Sequence, residues 1–112
     1  MQQNWPHYFE TARILIDKFR GSDPDYLNNV AWAIFEHGTD KEHLETAEGW
    51  AKKSVELKEG SANLDTYACL LNRNGKKQQA IEVEKKAIAL GKSKNEDTAD
   101  LEKTLKGFQA KK

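Results

Sequence analysis

Apolar residues in this chain recur three and four positions apart, no strand-like alternation is visible, and polar or glycine-containing breaks divide the pattern into six segments. The stretch from Leu64 to Leu90 is the most informative. Leu64, Tyr67, Ala68 and Leu71 mark one helix face, Asn74-Gly75 interrupts it, and Ala80, Val83, Ala87 and Leu90 resume the same spacing. Asn and Gly tolerate the left-handed backbone that ends a helix, so the stretch reads as two helices joined by one tight turn.

The remaining segments follow by the same logic. Asn4 and Pro6 suit the cap and first turn of a helix over 5–20, whose apolar positions Trp5, Phe9, Ala12, Leu15, Ile16 and Phe19 form one stripe ended by Gly21. Asp23-Pro24 starts a second helix that carries Leu27 to Phe35. Thr39 followed three residues later by Glu42 fits a capping box, which predicts a third helix from about Asp40 to Leu57, ended by Gly60. Ser61 reads as the cap of the fourth helix and Gly91 as the end of the fifth, followed by a polar loop over 92–97. Leu101, Leu105 and Phe108 mark one face of a last helix over 96–109, with Lys111-Lys112 fraying beyond it.

The central hairpin occurs twice. Moved back by thirty-seven residues, Leu64, Tyr67, Ala68, Leu71 and Gly75 fall on Leu27, Val30, Ala31, Ile34 and Gly38. Moved back by thirty-three, Ala80, Lys85-Lys86, Ile88 and Leu90 fall on Ala47, Lys52-Lys53, Val55 and Leu57. A helix, turn and helix repeated at a period near 34 residues is the signature of a stacked solenoid. The expected fold is all-α: one domain forming a short right-handed α-α superhelix, with repeats over 24–57 and 62–90. The first and last helices cover the apolar ends that two repeats alone would expose.

At these residues the chain resembles the tetratricopeptide repeat (TPR) family. That family puts small residues where its paired helices approach closely, and here those places hold Ala31, Ala47 and Ser54 in one copy and Ala68, Ala80 and Ala87 in the other. Two places where the family has an aromatic hold Leu27 and Leu64, two more hold Ala51 and Glu84, and no proline follows Leu57 or Leu90. The resemblance implies a concave surface, built by the first helix of each repeat, that binds an extended peptide or a partner helix. Carried over, its binding positions are Asn28, Trp32, Phe35 and Glu36, then Asp65, Cys69, Asn72 and Arg73. Trp32 admits two readings, an anchor for a bound chain or a packing residue beneath the N-terminal helix, covering Ile16 and Phe19. Family members that hold acidic chaperone tails use lysine and asparagine where Asn28 with Trp32 and Asp65 with Cys69 stand here, so binding of such tails is not expected.

Composition narrows the alternatives. At 112 residues there is room for one domain with one core, and eighteen basic residues balance eighteen acidic ones. That neutrality argues against a nucleic-acid or membrane-surface module, which needs a concentrated positive field. Cys69 is the only cysteine, so no internal disulfide forms. No apolar run reaches the length of a membrane span, and 1–6 has neither the basic start nor the apolar stretch of a signal peptide. A soluble protein of either the cytoplasm or the periplasm fits.

Chemistry is sparse. His7, His37 and His43 lack ligand spacing, so neither a metal site nor any cofactor is expected. Asn74-Gly75-Lys76-Lys77 lacks the earlier glycine and the hydroxyl residue of a phosphate loop. The carboxylates read as wet helix faces with no pair flanked by residues that would desolvate it, and Cys69 has no neighbouring histidine to activate its thiol. The sequence-based expectation is a non-catalytic protein-interaction module. A competing one is a structural or dimerising appendage of a larger enzyme, because LNNVAWAIFE with NLDTYACLLNRNGKKQQAIE is similar to helical extensions that follow bacterial thioredoxin-like domains.

Overall fold

The computed structural model describes residues 5–38 and 40–110, with side chains from residue 8 onward. Its helices are α1 (Trp5–Leu15), α2 (Pro24–His37), α3 (Lys41–Leu57), α4 (Ser61–Arg73), α5 (Lys77–Ser93) and α6 (Ala99–Ala110), and a π-helical turn (Ile16–Arg20) continues α1. Among the described residues there is no strand, and the fold is all-α. Each helix from α2 to α6 packs on the next in chain order, and α2 also touches α4 directly.

Local chemistry sets most helix ends. Asp23 caps α2 by accepting from the Tyr26 N–H at 3.1 Å, with Pro24 in the first turn, where its missing N–H leaves no bond unmade. Asp40 caps α3, accepting from the Glu42 N–H at 2.8 Å. Gly75 alone carries the turn between α4 and α5 in left-handed backbone, at φ 85°, while Asn74 stays at φ −89°. Asn74 works through its side chain instead, donating to the Leu44 carbonyl at 3.2 Å and to Glu48 Oε1 at 2.9 Å.

Several expected boundaries differ. Gly60, not Ser61, is the N-cap of α4, because Asn63 Oδ1 reaches back to the Gly60 N–H at 2.9 Å. Gly91 lies inside α5, and the left-handed stop falls at Asn95, φ 61°. Gly91 is needed for a close approach: a Cβ there would stand 2.8 Å from Thr98 Cγ2. The last helix starts at Ala99 rather than at 96. The expected caps at Asn4 and Thr39, the side chains of Trp5 and Pro6, and Lys111-Lys112 lie outside the described residues.

The first helix departs most. Phe9, Ala12 and Ile16 are buried, yet Phe19 is 75 % exposed. The widened π turn carries Phe19 out of phase with the stripe that an uninterrupted α-helix would have formed.

Two apolar clusters build the core. The first joins Phe9, Ala12 and Ile16 to Leu27, Val30, Ala31 and Ile34 of α2, Leu44, Ala47 and Ala51 of α3, and Leu70 of α4. Phe9 stacks on His43 with ring centroids 3.8 Å apart. The second joins Ala68, Cys69 and Leu71 of α4 to Ala80 of α5 and Phe108 of α6. Ala31, Ala47, Ala51, Ala68, Ala80 and Ala87 are fully shielded, so the methyl-sized positions are where helices meet most closely.

A buried polar knot fixes the junction of α2, α3 and α4. The Ser54 hydroxyl donates to the Pro24 carbonyl at 2.7 Å, and Asn63 Nδ2 donates to Ser54 Oγ at 3.0 Å and to the Lys58 carbonyl at 2.8 Å. With the Gly60 N–H on its Oδ1, Asn63 spends its amide on a chain break that the helices cannot satisfy themselves.

Candidate functional site

The direct contact of α2 with α4 brings most of the sequence-predicted binding residues to one surface. Trp32 and Phe35, one helical turn apart, stack with ring centroids 5.1 Å apart and planes 28° from parallel. Arg73, at the end of α4, holds its guanidinium 4.6 Å from the centre of the Phe35 ring. The three side chains form a continuous line, partly open to solvent, with half-buried Asn72 beside Arg73 on α4.

Beyond Trp32, toward the start of both helices, a cavity of about 390 Å³ opens. Asn28, Asn29 and Trp32 line it from α2, and Ser61, Ala62, Asp65 and Thr66 from α4. Asp97 before α6, with Asp100 and Leu101 on it, completes the wall. Asn28 Oδ1 is shielded from solvent and has no hydrogen-bond partner among the described residues.

Trp32 packs on the second cluster with Phe35, Tyr67, Ile81 and Val83, whereas Phe9, Ala12 and Ile16 belong to the first. The reading that puts it beneath the N-terminal helix is therefore incorrect. Cys69 requires a correction too. It is 6 % exposed and part of the second cluster, so it offers a partner almost no surface. Burial first, then the Asp65 and Glu84 carboxyls, push its thiol pKa well above the ordinary value, which leaves it protonated and unreactive.

The carboxylates also depart from the expectation of a uniformly wet face. Glu84 of α5 has no exposed surface, and its pKa is pushed up to about 9, chiefly by desolvation and then by the neighbouring Asp65 carboxyl. No bond of normal length and angle reaches either Glu84 oxygen. Asp65 is raised too, mainly by burial, while its interactions with Glu84 and with Cys69 Sγ, 3.8 Å away, act in the opposite direction. The one available signal came from the resemblance alone, in which Glu84 stands where the tetratricopeptide family has an aromatic. Asp97, Asp100 and Leu101 carried none, because they lie outside both repeats.

Among the described residues, no group of three or more His, Cys, Asp or Glu is placed to hold a metal ion. No described helix is long and apolar enough to cross a membrane. The class that fold and site define is an all-α protein of packed helical hairpins with a groove between α2 and α4. Compared with protein-family models, with curated proteins and with solved structures, the chain matches none.

Proposed function

We propose that this chain is a non-catalytic protein-interaction module of tetratricopeptide-like form, which takes a peptide or partner helix in the groove between α2 and α4. The observation that supports it best is the aligned, partly open row of Trp32, Phe35 and Arg73 ending in a cavity of about 390 Å³. Aromatic and arginine side chains dominate binding energy at protein interfaces, and a row held by mutual stacking loses little side-chain entropy on binding. Half-buried Asn72, next to Arg73 in the chain, can donate to and accept from a peptide backbone. Catalysis has little support, since Glu84 and Cys69 are screened from solvent and no histidine lines the cavity. The test is capture of partners from the source cell's extract by the native chain and by Trp32→Ala. Identical captured sets would overturn the reading.

A second reading, a helical appendage that positions or dimerises a thioredoxin-like enzyme, draws support from a different surface. Exposed Phe19 lies at a hollow where Ile16, Gly21 and Trp50 mix with Asp17, Lys18, Ser22 and Lys53, so the support is the exposed ring of Phe19 itself, a large apolar side chain that a neighbouring domain could cover. The parent gene decides it: a Cys-x-x-Cys domain encoded upstream of Met1 supports this role, and its absence removes it.

A further inference from the structure

We infer that Glu84 and Asp65 form a one-proton latch between α5 and α4, held shut by the proton on Glu84 and released, with Cys69 uncovered, when that proton is given up to solvent. The device is separate from ligand capture and does not rest on the groove reading. Three buried or half-buried groups meet at this point of the α4–α5 contact. Asp65 Oδ1 accepts from the Cys69 thiol, with Sγ 3.8 Å away, so Asp65 serves as the acceptor of the cluster. Asp65 is half-buried and lines the cavity, where water reaches it, whereas Glu84 has no exposed surface and neither of its oxygens has a bond of normal geometry. The one negative charge of the pair therefore belongs on Asp65, and Glu84 keeps the proton, because a charge is far cheaper where it stays hydrated.

The surroundings offer a second charge nothing to pair with. α5 packs on α4 and α6, and α4 packs also on α2 and α3. From α4, Glu84 faces Asp65 with Cys69 beside it, and from α6, Asp100 acts on Asp65 with the same sign of charge. α2 brings the neutral Asn28 and Asn29 to the cavity beside Asp65, and α3 supplies no charged group that acts on either carboxyl. The basic groups of the hairpin are directed elsewhere: Arg73 lies over Phe35, Lys86 pairs with Glu59 at 2.8 Å, and Lys85 is exposed. An ionised Glu84 would stand buried and unpaired against an ionised Asp65, and it reaches water only if α5 moves off α4. Cys69 belongs to the apolar cluster that joins α4 to α5 and α6, so the same motion uncovers its thiol. Burial and the neighbouring Asp65 raise Glu84 from the ordinary 4.5 to about 9. Between those values opening releases a proton, and each pH unit favours it by up to about tenfold.

The experiment is labelling of Cys69 in the full 112-residue chain with a soluble thiol reagent between about pH 6 and pH 8.5. Cys69 is the only cysteine, so the rate reports this site alone. Dividing it by the rate for the urea-unfolded chain at the same pH removes the intrinsic rise in thiolate. In the native chain the ratio should climb by up to about tenfold per pH unit, and in Glu84→Gln, which keeps the shape and cannot ionise, it should stay flat. Small additions of urea, well below the unfolding midpoint, should leave the rate nearly unchanged, because a local opening exposes little surface. Circular dichroism checks that the variant folds. If it does not, Asp65→Asn carries the test: with the first charge removed, the ratio should stop climbing at a lower pH than in the native chain. A native ratio independent of pH, the same climb in Glu84→Gln, or an unshifted plateau in Asp65→Asn would overturn the latch. A rate as sensitive to urea as whole-chain unfolding would overturn it too, since Cys69 would then be uncovered only by loss of the entire fold.

Discussion

Glu84 of α5 is wholly buried against Asp65 of α4, with neither of its carboxyl oxygens in a hydrogen bond of normal geometry. A carboxyl in that position holds its proton far more tightly when folded than when unfolded. Its pKa moves from the ordinary 4.5 to about 9, so between those values the folded chain retains a proton that the unfolded chain has released. Stability conferred by this group is complete below the unfolded pKa and is lost as pH rises toward the folded one, at up to about 1.4 kcal/mol per pH unit. The raised pKa of Asp65 acts in the same sense. Asp23, lowered mainly by its bond from the Tyr26 N–H, acts in the opposite sense, but only in the acid range below the ordinary carboxylate value. Urea midpoints should therefore fall from pH 5 to pH 9, and Glu84→Gln should flatten that slope. A native midpoint that rises with pH would show that Glu84 is ionised in the fold.

Ala68 is fully shielded at the α4–α5 contact. Ala68→Leu should overpack it and cost about 1 to 3 kcal/mol. Chemical denaturation reads this, and an unchanged midpoint would mean that the two helices do not meet there.

Asn63 satisfies a donor and two acceptors at the α2–α3–α4 junction. Asn63→Ala strands the Gly60 N–H and the Lys58 carbonyl, so a loss of about 2 to 3 kcal/mol is expected in the same measurement. A loss no larger than that of an exposed surface substitution would show that water replaces the amide without cost.

Trp32 is partly buried, packed on the second cluster while lining the cavity. Trp32→Ala should destabilise by about 1 to 2 kcal/mol, below the cost of emptying a fully enclosed site. Thermal melting of the variant checks this, and a loss as large as that of a wholly buried aromatic would argue that the residue serves the core alone.

Peptides ending in an acidic tail should bind no more tightly than about millimolar, a free energy near 4 kcal/mol. Asp65 already opposed them in the sequence, and Asp97 and Asp100 now stand on the same cavity wall. Micromolar affinity by titration calorimetry would contradict the charge assignment of this surface.

What the chain determined by itself is what neighbouring residues decide among themselves. Asp23-Pro24 starts α2, Gly75 turns α4 into α5, and small residues at Ala31, Ala47, Ala68, Ala80 and Ala87 mark the faces along which helices meet. Capping, left-handed backbone and helical periodicity act over a few residues, so their signals survive in one dimension. Tertiary structure decided the rest. Spacing reads Phe19 as core, but the π turn rotates it into solvent. Glu84 sits in a charged run, Glu84 to Lys86, yet the approach of α4 buries it while both lysines stay exposed. The acidic wall of the cavity joins Asp65 to residues more than thirty positions later, and only the return of α6 beside α4 brings them together. Burial and charge proximity depend on which surfaces meet across the fold, and local spacing carries no record of that choice.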